Sequence, residues 1–345
     1  MQSRNITFDI IKFFAIFCVV WGHCIQHLLS SEYWEEPIYR YLYSFHMPLF
    51  MMVAGFFAAN INKNKTFWSS LTTKFRQLII PLLSSCVIIC ILDIYANQGG
   101  YFYHLYKSLW FLKSLFLCNV LYLAATTIVD SSMNKRILLI LLSLILSNYI
   151  RVFLIPQMYP CFIVGVLLRF NYDYFKRNTK IINIISGMLF LILLLFWDER
   201  FWSQPGTGLI SKIWGEDYVV SPYIITLIRY SVGVLGSIFF ISLFHILSSS
   251  FERSSIGLFI SYCGQFTLGI YIFQTFILEI VLANLLKFDS FNWMITNFIV
   301  FPILSIVIIL SIIWIVRYIG RNKYISFLLL GKSISVMNNS VGFRI

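Results

Sequence analysis

Apolar runs of about twenty residues recur from one end of the chain to the other, separated by short polar connections, a length suited to one helical crossing of a bilayer, with the run 156–170 shorter than the rest. Ten spans are predicted, at 10–29, 38–59, 78–96, 108–129, 137–155, 156–170, 181–198, 222–248, 264–286 and 294–316. The implied fold class is an all-α polytopic integral membrane protein of about ten transmembrane helices, one membrane domain over residues 1–345 with no soluble domain appended. Pro156 sits at the least regular boundary. Reading 137–170 as one kinked helix gives nine spans and moves the C-terminus to the other side of the membrane. The first span runs into Ser30, Ser31 and Glu32 without a small-x-small cleavage site, so it is expected to be retained.

The first span is not wholly apolar. At about 100° per residue, Lys12, His23 and His27 fall within roughly 60° of Asp9, so one polar stripe runs along an otherwise apolar helix. Such a stripe faces protein or water, not lipid. Lys12 and His23 lie about 16 Å apart along the axis, linking a charge at one membrane surface to an imidazole deep inside. The second span, YRYLYSFHMPLFMMVAGFF, places His46 just before Pro48, whose missing N–H and ring disturb the helix there. His23 and His46 lie about 5 Å and about 4 Å to the outer side of their span midpoints, so the two imidazoles share a depth if the helices are neighbours. An imidazole in hydrocarbon is costly and usually marks a site. His27, nearer the outer interface, reads as a structural hydrogen-bonding group, and Asp9 with Lys12 as an ion pair at the membrane surface.

Composition agrees with the spans: 59% hydrophobic, 12% charged, mean hydropathy +0.82. The net charge of +12 does not point to a nucleic-acid partner, because the basic residues are spread over short connections instead of gathered on one face. With the N-terminus cytoplasmic, most of the 26 Lys and Arg fall on the inner side, and ten spans place both termini there. The seven cysteines lie in apolar segments without Cys-x-x-Cys spacing, so neither a disulfide framework nor a metal site is expected. The inner connection KNKTFWSSLTTKFRQLIIP carries Lys63, Lys65, Lys74 and Arg76, suited equally to anionic membrane lipids and to a soluble phosphate-bearing ligand. In the outer halves of later spans, Asp93, Lys113, Arg151, Arg229 and Glu279, with Gln274 near a midplane, suggest a hydrated cavity open outward to a polar or sugar-like acceptor.

The opening RNITFDIIKFFAIFCVVWGH, with Asp9, then Lys12, then His23, resembles the start of the acyltransferase 3 family of multi-span membrane acyltransferases. SFHMPLFMMVAGFF resembles the family's second-span motif and KFRQLIIP its basic cytoplasmic loop before a proline. SLWFLKSLF, YPCFIVG, CGQFTLGIYIFQ and ISFLLLGK follow in the family's order. The resemblance implies transfer of an acyl group, usually acetyl, from cytoplasmic acyl-CoA as co-substrate to a hydroxyl of a cell-surface carbohydrate, in the inner membrane and with no resident cofactor. It assigns Lys12, Lys74 and Arg76 to the CoA phosphates, Asp9 to positioning Lys12, His23 to general-base catalysis, and His46 to the oxyanion or the acceptor hydroxyl. A covalent acyl-histidine relay is a variant of the same scheme. Two positions depart from the family: Lys74 and Gln77 stand where an Arg-x-x-Arg pair is common, and Gln274 where a histidine is common. The competing readings are a transporter or flippase for a lipid-linked saccharide and a proton-coupled carrier. The internal repeat that many transporters show is not found.

Overall fold

The computed structural model describes residues 5–29, 33, 36–59, 66–96, 109–127, 133–150, 152–195, 197, 222–288 and 292–332. In chain order the helices are α1 (Ile6–Leu28), α2 (Pro37–Ala58), α3 (Phe67–Lys74), α4 (Ile80–Ala96), α5 (Trp110–Thr127), α6 (Met133–Ser147) and α7 (Ile155–Phe170). They continue with α8 (Tyr172–Arg177), α9 (Thr179–Leu194), α10 (Pro222–Ile246), α11 (Ser248–Arg253), α12 (Ser255–Leu285), α13 (Trp293–Ile319) and α14 (Lys323–Leu330). No strand occurs among the described residues. Six stretches are long and apolar enough to cross a membrane: α1, α2, the run from α3 into α4, and most of α10, α12 and α13. Shorter apolar helices, α5, α6, α7 and α9, stand where the other four spans are expected.

α9 turns an apolar face outward and keeps its neutral polar groups on the buried side. α9 exposes Ile181, Ile184, Met188 and Leu191 while burying Ser186 and Phe190, and its Asn183 amide donates to the Phe239 carbonyl at 3.0 Å. A helix patterned this way suits hydrocarbon outside and hydrogen bonding within.

Two expected boundaries move. The stretch read as a basic loop is helical from Phe67 onward, so Lys74 and Arg76 lie on a helix. Thr66 starts it, its hydroxyl accepting from the Ser69 N–H at 3.3 Å. Between α3 and α4 the chain is π-helical over Phe75–Ile79, with the Ile80 N–H reaching the Phe75 carbonyl. Pro81 follows at once and offers no N–H to the regular ladder, which relieves the wider turn before it of a competing bond. The same pairing recurs in α13, π-helical over Thr296–Val300 just ahead of Pro302. α12 begins at Ser255, nine residues before the expected start, because the Ser254 hydroxyl accepts from the Gly257 N–H at 2.9 Å. The single kinked helix over 137–170 is absent: α6 and α7 are separate, with left-handed Phe153 (φ 49°) and Leu154 (φ 56°) between them. Pro156 therefore occupies the first turn of α7, where its missing N–H costs nothing.

The chain divides into two compact units, Met1–Ala59 with Cys161–Ser311, and Asn60–Pro160 with Ile312–Ile345. In the first, α1 packs on α2 and α12, and α10 packs on α2 and α9. Phe14, Phe45 and Phe240 join these helices, with ring centroids 4.8 Å (Phe14 to Phe240) and 4.3 Å (Phe45 to Phe240) apart. α2 and α7 cross at backbone contact, since a Cβ on Gly55 would strike the Phe162 carbonyl and one on Gly165 the Met52 carbonyl. In the second unit, α14 packs on α4, and α5 packs on α3 and α6. Ser143 of α6 hydrogen-bonds the Tyr159 hydroxyl at 2.8 Å.

Candidate active site

The polar stripe of α1 faces α12. At the N-terminal end of the stripe the Lys12 ammonium is 2.5 Å from the buried Asp9 carboxylate. α12 reaches the α1 backbone here because Gly264 has no side chain; any Cβ would collide with the Asp9 carbonyl. Asp9 to His23 spans about 21 Å of α1, and Gly264 to Glu279 about 22 Å of α12. The two helices therefore run side by side in the same direction, and Glu279 arrives beside His23.

Glu279 Oε1 lies 3.6 Å from His23 Nδ1 and 3.9 Å from His27 Nε2. The two imidazoles, one turn apart, are stacked with centroids 5.5 Å apart. Glu279 belongs to the π-helical stretch Thr275–Leu282, whose widened turn re-aims side chains relative to a regular helix. Farther along, Lys287 Nζ donates to the His27 carbonyl at 3.1 Å and the Phe288 N–H to the Leu28 carbonyl at 3.0 Å, tying the residues that follow α12 to the C-terminal end of α1. Cys24 Sγ meets Ser305 Oγ of α13 at 3.6 Å on another side of α1.

α2 supplies His46, buried, with Nδ1 2.5 Å from the Leu42 carbonyl. A carbonyl only accepts, so Nδ1 carries the proton and Nε2 of the neutral ring is left as an acceptor. His46 is linked to the C-terminal half of α1 through Tyr43 of its own helix. Tyr43, one turn before His46, has its ring 4.6 Å from the imidazole, and its hydroxyl donates to Gln26 Oε1 at 3.2 Å. Its ring occupies space above Gly22, where a Cβ would come within 2.7 Å of Cε2.

The family model of the acyltransferase domain, Acyl_transf_3, matches residues 5–317. The chain belongs to this acyltransferase family. Two curated relatives share a shorter stretch. Nodulation protein NolL of Sinorhizobium fredii (strain NBRC 101917 / NGR234) is 35% identical over 91 residues, 26% of this chain and 25% of the relative. Nodulation protein NolL of Mesorhizobium japonicum (strain LMG 29417 / CECT 9101 / MAFF 303099) is 32% identical over 91 residues, 26% of this chain and 24% of the relative. The match thus spans about a quarter of the length of these relatives. No solved structure matches.

In this acyltransferase the residues singled out in the sequence are distributed over both units. His23, His46 and Glu279 share the first unit, Glu279 beside His23 and His46 joined to α1 through Tyr43, although the sequence placed Glu279 with the acceptor-side charges. Arg229 is half-buried on α10 in the same unit. Gln274 is buried and donates to Thr275 Oγ1 at 3.1 Å within its own helix. Lys74, Arg76 and Lys113 belong to the second unit, where the nearly buried Lys113 holds Nζ 5.3 Å from the centre of the Phe153 ring. Arg151, Lys63, Lys65, the side chain of Asp93 and the 199–221 connection lie outside the described residues. Sequence reasoning missed Gln26 and Tyr43, although Tyr43 precedes His46 by one turn in the same motif. It also missed an open pocket of about 500 Å³ in the first unit, lined by Lys176, Arg177, Lys180 and His245.

Chemically, the neighbourhood offers an imidazole with a carboxylate at one ring nitrogen, a second imidazole with a fixed tautomer, and a hydrogen-bonded tyrosine. Groups of these kinds can accept, hold and pass on protons.

Proposed function

We propose that this acyltransferase moves an acyl group, acetyl in the first instance, from cytoplasmic acyl-CoA to a hydroxyl of a cell-surface or lipid-linked saccharide. It does so within the inner membrane, with ten crossings and both termini cytoplasmic. The observation that carries the reading is Glu279 Oε1 at 3.6 Å from His23 Nδ1. A carboxylate there favours the tautomer with the proton on Nδ1 and leaves Nε2 free to act as the base. A separation slightly beyond hydrogen-bond range tightens when substrate closes the site.

The acceptor hydroxyl oxygen attacks the thioester carbonyl carbon while its proton passes to His23 Nε2. Collapse of the tetrahedral intermediate breaks the C–S bond, and the departing thiolate takes that proton from His23, giving an ester and CoA thiol. His46, whose free Nε2 only accepts, holds the acceptor through a second hydroxyl and does not serve the oxyanion. Lys12, held by Asp9, and the basic pocket at Lys176 and Lys180 provide contacts for CoA phosphates. Lys74 and Arg76 are proposed for the same ligand class on their own account. The family match favours this chemistry over the transport readings.

The test is release of CoA thiol from acetyl-CoA by membranes containing the protein, measured with and without added cell-surface glycan. Glycan-dependent thiol release with matching ester formation supports the reading. Saccharide movement across the membrane without acyl-CoA consumption contradicts it and favours a carrier.

A further inference from the structure

His23 and His27 stand one turn apart on α1, and Glu279 of α12 reaches both with a single carboxylate oxygen, at 3.6 Å and 3.9 Å. The three donor atoms all lie within 4.8 Å of one another. Neither His23 Nδ1 nor His27 Nε2 has a hydrogen-bond partner, although each atom is shielded from solvent. Two unsatisfied imidazole nitrogens turned toward one carboxylate form an N,N,O donor set. For metal bonds of about 2.0 Å, neighbouring donors in a tetrahedron lie about 3.3 Å apart, so closing this set around an ion narrows the two carboxylate–imidazole separations by about half an ångström and the imidazole pair by up to about 1.5 Å, within reach of side-chain rotation. Imidazole pairs one helical turn apart are suited to first-row divalent ions, and a borderline-soft ion of flexible geometry suits this donor set.

We propose that His23, His27 and Glu279 form a binding site for one divalent zinc-class cation, with a further coordination position open to water or to an acceptor hydroxyl. The side chains retain 20%, 24% and 33% exposure, which gives the ion a route to them. Coordination through Nδ1 of His23 puts the remaining ring proton on Nε2, so the metal-bound ring no longer accepts a proton from a hydroxyl. Zinc therefore acts as a reversible inhibitor of acyl transfer. This consequence rests on the proposed base role of His23, whereas the binding itself does not.

The test uses full-length protein without a polyhistidine tag, purified in detergent and stripped by chelator. Binding of ⁶⁵Zn is followed by equilibrium dialysis for the wild type, His27→Gln and Glu279→Gln, with metal-free melting curves recorded for each. The expected result is one equivalent bound by the wild type and at least tenfold weaker binding by both variants, with zinc raising the melting temperature of the wild type alone. His27→Gln should retain acyl transfer and lose its inhibition by zinc. No binding by the wild type at micromolar zinc, or equal binding by wild type and folded variants, overturns the site. Zinc bound there without loss of transfer upholds the site and overturns the base assignment of His23, so the two failures are distinguishable.

Discussion

At the scale of single residues, neighbours set the proton positions of two imidazoles. Glu279 faces Nδ1 of His23, and the Leu42 carbonyl faces Nδ1 of His46. Replacing Glu279 with Gln keeps the size but removes the charge that stabilises the imidazolium formed during transfer. Glu279→Gln should lower kcat by roughly 10²-fold or more while leaving the KM for acyl-CoA nearly unchanged, as expected for a group acting in the transition state. Steady-state kinetics on purified protein measures this split, and a change confined to KM would contradict it. His46→Leu should instead raise the KM for the saccharide acceptor, because it removes the acceptor atom proposed to hold that substrate. The histidines were legible in the sequence because ionisable groups in hydrocarbon are conspicuous. The partnership with Glu279 was not, since it depends on the register of α12 against α1, and no pattern within either segment encodes that register.

At the scale of elements, hydropathy located the spans well and their starts poorly. α3 and α12 both begin earlier than expected, in stretches whose serines, threonines and basic residues dilute the apolar signal. Each is started by a hydroxyl cap, at Thr66 and Ser254, and the first is held by packing of its π-helical continuation on α5, where Phe75 and Phe116 rings lie 6.1 Å apart. The motif glycines acquire their reason only in three dimensions: Gly264 brings α12 onto the Asp9 backbone, which sets the register that delivers Glu279. Gly264→Ala should therefore destabilise the protein by about 1–3 kcal/mol through overpacking. It should also reduce transfer more than unfolding accounts for, as Glu279 moves away from His23. Melting curves in detergent alongside activity per folded molecule check both, and an unchanged melting curve would contradict the close approach.

At the scale of the whole molecule, the proposed reaction takes its donor from one side of the membrane and its acceptor from the other. The separation of α6 from α7 removes the one-helix reading that supported nine spans. A topology of ten crossings predicts that Ser203→Cys is labelled by a membrane-impermeant maleimide in intact cells, whereas Ser333→Cys reacts only after permeabilisation. Labelling of both from outside would contradict cytoplasmic placement of the C-terminus. The most direct test of the central claim is transfer of radiolabelled acetyl from acetyl-CoA to total cell-surface glycan, in membranes holding wild type or His23→Ala at matched levels. The account predicts label with the wild type and a loss of roughly 10²-fold or more with the substitution. Equal labelling by the two proteins would remove His23 as the base and contradict the mechanism built on it.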